Sequence, residues 1–301
     1  MGFYHDMQKL KNAVDEKGNF NPLKVLQDEE INKKINSYLS VDLRNKINEG
    51  LIPQYFYKYR SLSHTLDIIR TSTLKFSTVG EFKDPFDGVG DWVTDSNDDY
   101  QKLIEGFASR LPQDMPSFYK EIFVLEMRKN PELYLKKCAV EAMKLLHENA
   151  GIFCMTPICD DIIMWAYYAD SHRGTCLKLD ISEDTDLFCG LWAVVYQKNM
   201  PRRNILDREQ SSQAFWEAIT TKHSDWFYEQ EARVIHHRQN GYLPFKKKVL
   251  KEILFGVYTT QAEINEVKTA LCEHGFHDVL LKKARLNATR YKLEFHDIGR
   301  I

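Results

Sequence analysis

The sequence predicts an α+β protein, with a central mixed or antiparallel sheet, flanking helices and an N-terminal helical extension. Three observations carry this. Several stretches repeat apolar residues at helical spacing. Short runs rich in β-branched and aromatic residues alternate between them. The two kinds are interspersed without a strict strand–helix–strand rhythm, which disfavours a doubly wound parallel sheet.

Residues 1 to 20 are polar. From Pro22, apolar residues at Leu26, Ile31, Ile35, Leu39, Leu43 and Ile47 predict one or two amphipathic helices ending near Gly50. "QYFYKYR" (54–60) alternates and reads as a strand. "HTLDIIRTST" reads as a short helix and "LKFST" (74–78) as a second strand. "VGEFKDPFDG" is a loop by its Gly, Asp and Pro content. From about 98 to 149 the pattern is helical, with Asn130 as a cap before Pro131. "GIFCMT" is a strand, and Asp160 is placed to cap a helix through "DIIMWAYYAD". "GTCLKLD" and "LWAVVYQ" read as strands, and "SQAFWEAITTK" as a helix. "ARVIHH" and "KEILFGVY" are strands, and "QAEINEVKTALCEHG" is a helix that Gly275 ends. "HDVLLKKARL" and "YKLEFHDI" close the chain. The domain expectation is a helical extension over 1–50 and one α+β domain over 51–301, with a helical insertion at about 98–150.

The chain has 301 residues, 43% apolar and 28% charged, with a formal net charge of −2. That is ordinary for a globular protein and excludes whole-chain electrostatic binding of nucleic acid. No apolar run approaches the roughly 20 residues that span a bilayer, and the N-terminus lacks a signal-peptide core. The expectation is a cytoplasmic protein with no membrane partner. The six cysteines form no CxxC pair, so reduced thiols are expected rather than structural zinc. There is no Walker loop, GxGxxG, HExxH or GxSxG motif.

Four clusters remain as candidates for chemistry. In "YKYR", alternation puts Tyr57 and Tyr59 on one face and Arg60 on the other. The guanidinium is either a solvated strand residue or a grip on phosphate or carboxylate. In "FSTVGEFKDPFDG", Ser77, Thr78, Asp84 and Asp87 suit either a capped turn or a ligand-facing loop. In "MWAYYADSHRGTC", Trp165 and Tyr168 share a helical face, with His172 and Arg173 after its end. These can stack a ring and hold a phosphate, or satisfy the helix terminus. In "SDWFYEQEARVIHH" (224–237), preceded by Lys222, a strand would place Glu229, Glu231 and Arg233 on one face. A helix would make Glu229 and Arg233 a surface pair. Two close carboxylates are costly unless cations or ligand hydroxyls compensate.

These clusters, in this order, resemble the bacterial domain of unknown function 2971 family over about residues 55 to 298. The carriers are "YKYRSL", "LKFSTVGEFKDPFDG", "IFCMT", "IIMWAYYADSHRGTCLKLD", Lys222 with "WFYEQEAR", and "EILFGV". Members more usually have Asn before the Asp-Pro pair, where this chain has Lys83. The chain also resembles ADP-ribosyltransferases of the Arg–Ser–Glu type through Arg60, Ser77-Thr78 and Glu229-x-Glu231. That resemblance implies NAD as co-substrate and a nucleotide-binding, NAD-consuming protein, of the kind used as toxins or phage-defence effectors. Its acceptor would be a protein or a nucleic acid. Glu231 would stabilise the cationic ribosyl species, and Glu229 would orient or deprotonate the acceptor. Arg60 would hold the pyrophosphate and Ser77 would shape the nicotinamide side, with Tyr168 or Trp165 stacking a ring. Three alternatives stand beside it. One is a sensor that recognises a nucleotide or nucleic-acid end through His172, Arg173, Lys222 and Arg233 without turnover. Another is a Mg²⁺ nuclease built on Asp84, Asp87, Glu229 and Glu231. The third is a polar-aromatic core without a ligand.

Overall fold

The computed structural model describes residues 29–93, 104, 105, 108, 115–204, 208–237 and 239–301. The helical stripe expected over 98–111 and the apolar positions before Glu29 lie outside or at the margins of these residues.

Helix α1 (Glu29–Asn48) precedes strand β1 (Tyr55–Arg60). Leu43 is buried in the core, and Ser40 and Arg44 both reach the Thr185 hydroxyl, so α1 is docked onto the sheet domain. Helix α2 (Leu62–Thr71) starts at Ser61, whose hydroxyl accepts from His64 N–H, and ends at Ser72 in the left-handed region. Strand β2 (Thr73–Phe76) is followed by a 3₁₀ turn over Val79–Glu81. A short strand β3 (Asp91–Val93) precedes helices α3 (Ser117–Lys129) and α4 (Pro131–Asn149), and the Asn130 carboxamide accepts from Leu133 N–H as the cap the sequence predicts.

Strand β4 (Gly151–Met155) leads into α5 (Ile162–Tyr168). The helix cap is Asp161, one residue after the expected Asp160, and its carboxylate accepts from Ile163 and Met164 N–H. Then come β5 (Thr175–Asp180), the single turn α6 (Thr185–Phe188), and β6 (Leu191–Ala193), β7 (Val195–Gln197) and β8 (Arg202–Asn204). Val194 breaks the expected "LWAVVYQ" strand in two because β6 and β7 pair with different partners. Helix α7 (Arg208–Thr220) is followed by β9 (Thr221–His223), β10 (Ala232–His236) and β11 (Gly241–Pro244). Strand β12 (Leu250–Phe255), helix α8 (Gln261–Glu273), β13 (Leu280–Leu286) and β14 (Leu293–Arg300) finish the chain.

The fold is α+β, with a mixed five-stranded sheet at its centre in the order β1-β5-β12-β13-β14. All neighbours are antiparallel except β12 and β13, which α8 joins as a crossover. A parallel pair needs such a long connection, whereas the antiparallel pair β13 and β14 takes a short one. A second sheet, β4-β10-β6, is linked to the first by a bridge at Tyr57–Thr156, and a bridge at Ser77–Ile152 links it to the two-stranded sheet β11-β2. Strand β4 therefore touches both β1 and the end of β2. Along β5 and β12, Leu177 and Ile253 point into the main core with Phe76, Phe153, Ile69 and Val267. Cys176 and Leu254 point to the opposite face, where Tyr59, Met164 and Trp165 form a second cluster. Strand alternation thus builds two apolar layers on one sheet.

Candidate functional site

Residues 224 to 231 form neither the strand nor the α-helix that the sequence left open. Ser224–Glu229 is a 3₁₀ helix, and Gln230 adopts a left-handed conformation at φ 43° before β10 begins at Ala232. The chain folds back at Gln230, so Glu229 and Glu231 converge by a turn rather than by strand alternation. Lys222 lies between them, its Nζ 2.6 Å from Glu229 Oε2 and 3.1 Å from Glu231 Oε2.

Arg233, on the central strand of its sheet, completes the cluster. Its side chain has 0% exposure. Nε and Nη2 donate to the two oxygens of Glu231 at 2.9 and 3.1 Å. Nη1 and Nη2 donate to both oxygens of Asp87 at 2.9 and 2.8 Å, and Nη1 also donates to the Ile219 carbonyl. Phe82 lies beneath the guanidinium, 5.2 Å from its ring centre. Asp84 does not join. Its carboxylate accepts from Phe86 N–H and forms the turn that delivers Asp87.

Three buried carboxylates, Asp87, Glu229 and Glu231, thus face two buried cations, Lys222 and Arg233. The two glutamates are driven apart electrostatically. Burial works to raise the Glu231 carboxyl, but Arg233 and Lys222 overcome it and hold the group well below the usual carboxylate range. Burial raises Glu229, with Lys222 and the Tyr168 hydroxyl only partly opposing it. The Tyr168 O–H donates to Glu229 Oε1 at 2.5 Å. Burial would lower Lys222, but the flanking glutamates raise it above an ordinary lysine. The Tyr196 hydroxyl accepts from Glu231 N–H at 2.7 Å and fixes the turn.

On β1, Lys58 and Arg60 share the face opposite Tyr57 and Tyr59. The half-buried Arg60 has no hydrogen-bond or ion-pair partner among the described residues, and burial lowers its proton affinity. Lys58 donates to the Cys154 carbonyl and lies 5.0 Å from the Phe153 ring centre. Burial, then the charge of Arg60, pushes it down to about 8, with Cys154, Glu231 and Glu229 opposing. Cys154 lies among these groups: burial and then the Glu231 carboxylate push its thiol up to about 12, with Arg233 and Lys58 opposing. Ser77 is half-buried at the end of β2, its backbone exchanging hydrogen bonds with Ile152 at 3.0 and 2.8 Å.

His172 and Arg173 lie with the other face of β1. After α5, Asp170, Ser171 and His172 are all left-handed, at φ 48°, 52° and 63°. Three such residues in a row store backbone strain of about 1–3 kcal/mol each. The turn is held by close approach at two glycines. A Cβ at Gly174 would meet the Arg60 carbonyl oxygen at 2.2 Å, and one at Gly256 would meet the His172 carbonyl oxygen at 2.1 Å. The His172 ring stacks on Trp165 at 14° and 6.2 Å, with Nδ1 buried and unbonded, and burial favours its neutral form. Trp165 meets Tyr59 edge-on at 5.4 Å. The exposed Arg173 lies over the Tyr258 ring. Tyr57 lines a separate cavity of about 460 Å³ with Ile158, Cys159 and Phe295. From this aromatic layer, Tyr168 reaches the ion cluster.

Residues 164–234 match the family described as Protein of unknown function (DUF2971). That segment runs from α5 to β10 and holds Trp165, Tyr168, His172, Arg173, Lys222, Glu229, Glu231 and Arg233. Arg60, Ser77, Asp84 and Asp87 lie before it. Strand pairing and the Asp87–Arg233 bond bring Arg60 and Asp87 to the DUF2971 segment. Neither a search of curated proteins nor one of solved structures finds a match. No helix among the described residues is long and apolar enough to cross a membrane.

Two contributors escaped the sequence reading. Lys58 was legible, since alternation alone sets it beside Arg60. Tyr196 was not, because its bond to Glu231 N–H depends on β7 pairing with β9.

Proposed function

We propose that this protein binds a nucleotide and cleaves the glycosidic bond of NAD in an ADP-ribosyltransferase-like reaction, with a protein, a nucleic acid or water as acceptor. The observation that carries the binding step is Arg60, a half-buried guanidinium without a side-chain partner among the described residues, next to Lys58. Two cations lacking a bonded carboxylate favour an anionic ligand, and a guanidinium suits phosphate oxygens. The electrostatics of the glutamate pair supports the catalytic step. Glu231 stays ionised, the state that stabilises a cationic ribosyl species. Glu229, with its raised proton affinity, suits proton removal from an acceptor once the Tyr168 hydroxyl leaves it.

The test is direct. Full-length protein incubated with NAD releases nicotinamide, and Glu231→Gln and Arg60→Gln each abolish the release. A protein that neither binds nor consumes NAD removes the proposal. A second reading, nucleotide binding without turnover, is favoured by the saturation of Glu231, which already accepts three N–H bonds from Arg233 and Lys222. A ligand-induced rise in melting temperature without product supports that reading. For the nuclease reading, Asp87, Glu229 and Glu231 do converge, but on Lys222 and Arg233, and Asp84 is spent on its turn.

A further inference from the structure

A lysine amine removed from water needs a carboxylate nearby, or it favours its neutral form. Lys222 has its glutamates, and Lys178 and Lys282 share Glu252. Among the described residues Lys58 has no carboxylate at bonding distance, and it donates instead to the Cys154 carbonyl. The nearest carboxylates, Glu229 and Glu231, are engaged by Lys222, Tyr168 and Arg233. Lys283 also donates to carbonyls, those of Gly256 and Thr259, and burial lowers its proton affinity too, with Glu263 opposing, but Arg285, two residues along its strand, is paired with Glu294.

Beside Lys58 on the same strand face stands Arg60, whose side chain has no partner among the described residues. Two residues along a strand separate their Cα atoms by roughly 7 Å. An amine that readily loses its proton and a guanidinium free to hold an anion therefore stand side by side. We propose that Lys58 is a covalent capture site for a small phosphorylated aldehyde, with Arg60 gripping its phosphate. The neutral amine attacks the carbonyl carbon and forms a C–N bond. The resulting carbinolamine loses one water, made from the carbonyl oxygen and two protons, to give the imine. No oxidant or second reagent is consumed, and lysine amines set in apolar surroundings follow this chemistry. With its proton affinity pushed down to about 8, Lys58 carries far more neutral amine near neutral pH than an ordinary lysine. This site is independent of NAD turnover, although it shares Arg60 with the nucleotide reading.

The experiment uses the full chain and two probes, pyridoxal 5′-phosphate and phosphate-free pyridoxal. Each adduct is trapped with borohydride and located by peptide mass spectrometry. The phosphorylated probe labels Lys58 ahead of the other lysines and about tenfold faster than pyridoxal does. Arg60→Gln erases that preference, and Lys58→Arg removes the adduct. Labelling spread over the exposed lysines, or equal rates for the two probes at Lys58, overturns the proposal. The two-probe comparison needs only the unsubstituted chain, so a poorly folded variant cannot obscure it.

Discussion

Replacing Arg233 with Met tests what the ion cluster does for the fold. The side chain has 0% exposure and satisfies Asp87 and Glu231 together. Without it, Asp87 loses two charge-assisted bonds and keeps only Lys222, 3.7 Å away. Glu231 loses two of its three side-chain N–H donors, and the Ile219 carbonyl loses its bond. Met fills much of the volume, so the cost is chiefly uncompensated buried charge. Breaking a buried pair this way costs about 3–5 kcal/mol. For a chain of this size that lowers the melting temperature by roughly 5–8 °C. Urea and thermal unfolding followed by circular dichroism read both quantities. Adding Asp87→Asn and Glu231→Gln to Arg233→Met removes the stranded charges and leaves Lys222 paired with Glu229. The triple variant therefore recovers at least half of the loss. A single variant that loses less than about 1 kcal/mol, or a triple variant no better than the single one, refutes this reasoning.

The two glutamates respond oppositely to pH. Glu231 has a depressed folded pKa, so its contribution is complete above the unfolded carboxylate value and is lost as pH falls toward the folded one. Acid titration of stability is accordingly shallower in Glu231→Gln than in the parent. Glu229 has a raised folded pKa, so its ionisation erodes stability as pH rises through that value. Glu229→Gln is neutral or stabilising by up to about 1 kcal/mol at pH 7, measured by urea unfolding. Lys58→Met stabilises the protein at pH 7 by about 1–3 kcal/mol, and the gain shrinks as pH rises past 8 and native Lys58 loses its proton. A gain that grows with pH contradicts the burial of Lys58. Gly174→Ala forces the backbone away from the Arg60 carbonyl, 2.2 Å from the new Cβ, costs about 1–3 kcal/mol and weakens anion binding.

The sequence revealed the parts that obey local rules. Alternation in "YKYR" set Arg60 opposite Tyr59, and Asn130 with Pro131 marked the start of α4. Grouping Glu229, Glu231, Arg233 and Lys222 was also legible, but for the wrong reason. The shared face followed from a strand reading, whereas a left-handed Gln230 closes a 3₁₀ helix there, and nothing in Glu-Gln-Glu signals positive φ. The Asp87–Arg233 bond joins residues 146 apart, and its burial is set by strand β10 lying between β4 and β6. The placement of His172 was equally hidden. Its ring is held on Trp165 by a left-handed turn that Gly174 and Gly256 permit through close packing.

Calorimetric titration of NAD into the full chain and into Arg60→Gln tests the central claim most directly. The expected result is saturable binding to the parent and at least a roughly tenfold weaker interaction in the variant, from the loss of charge-assisted bonds to phosphate. No binding to the parent, or equal affinity in the two proteins, contradicts it.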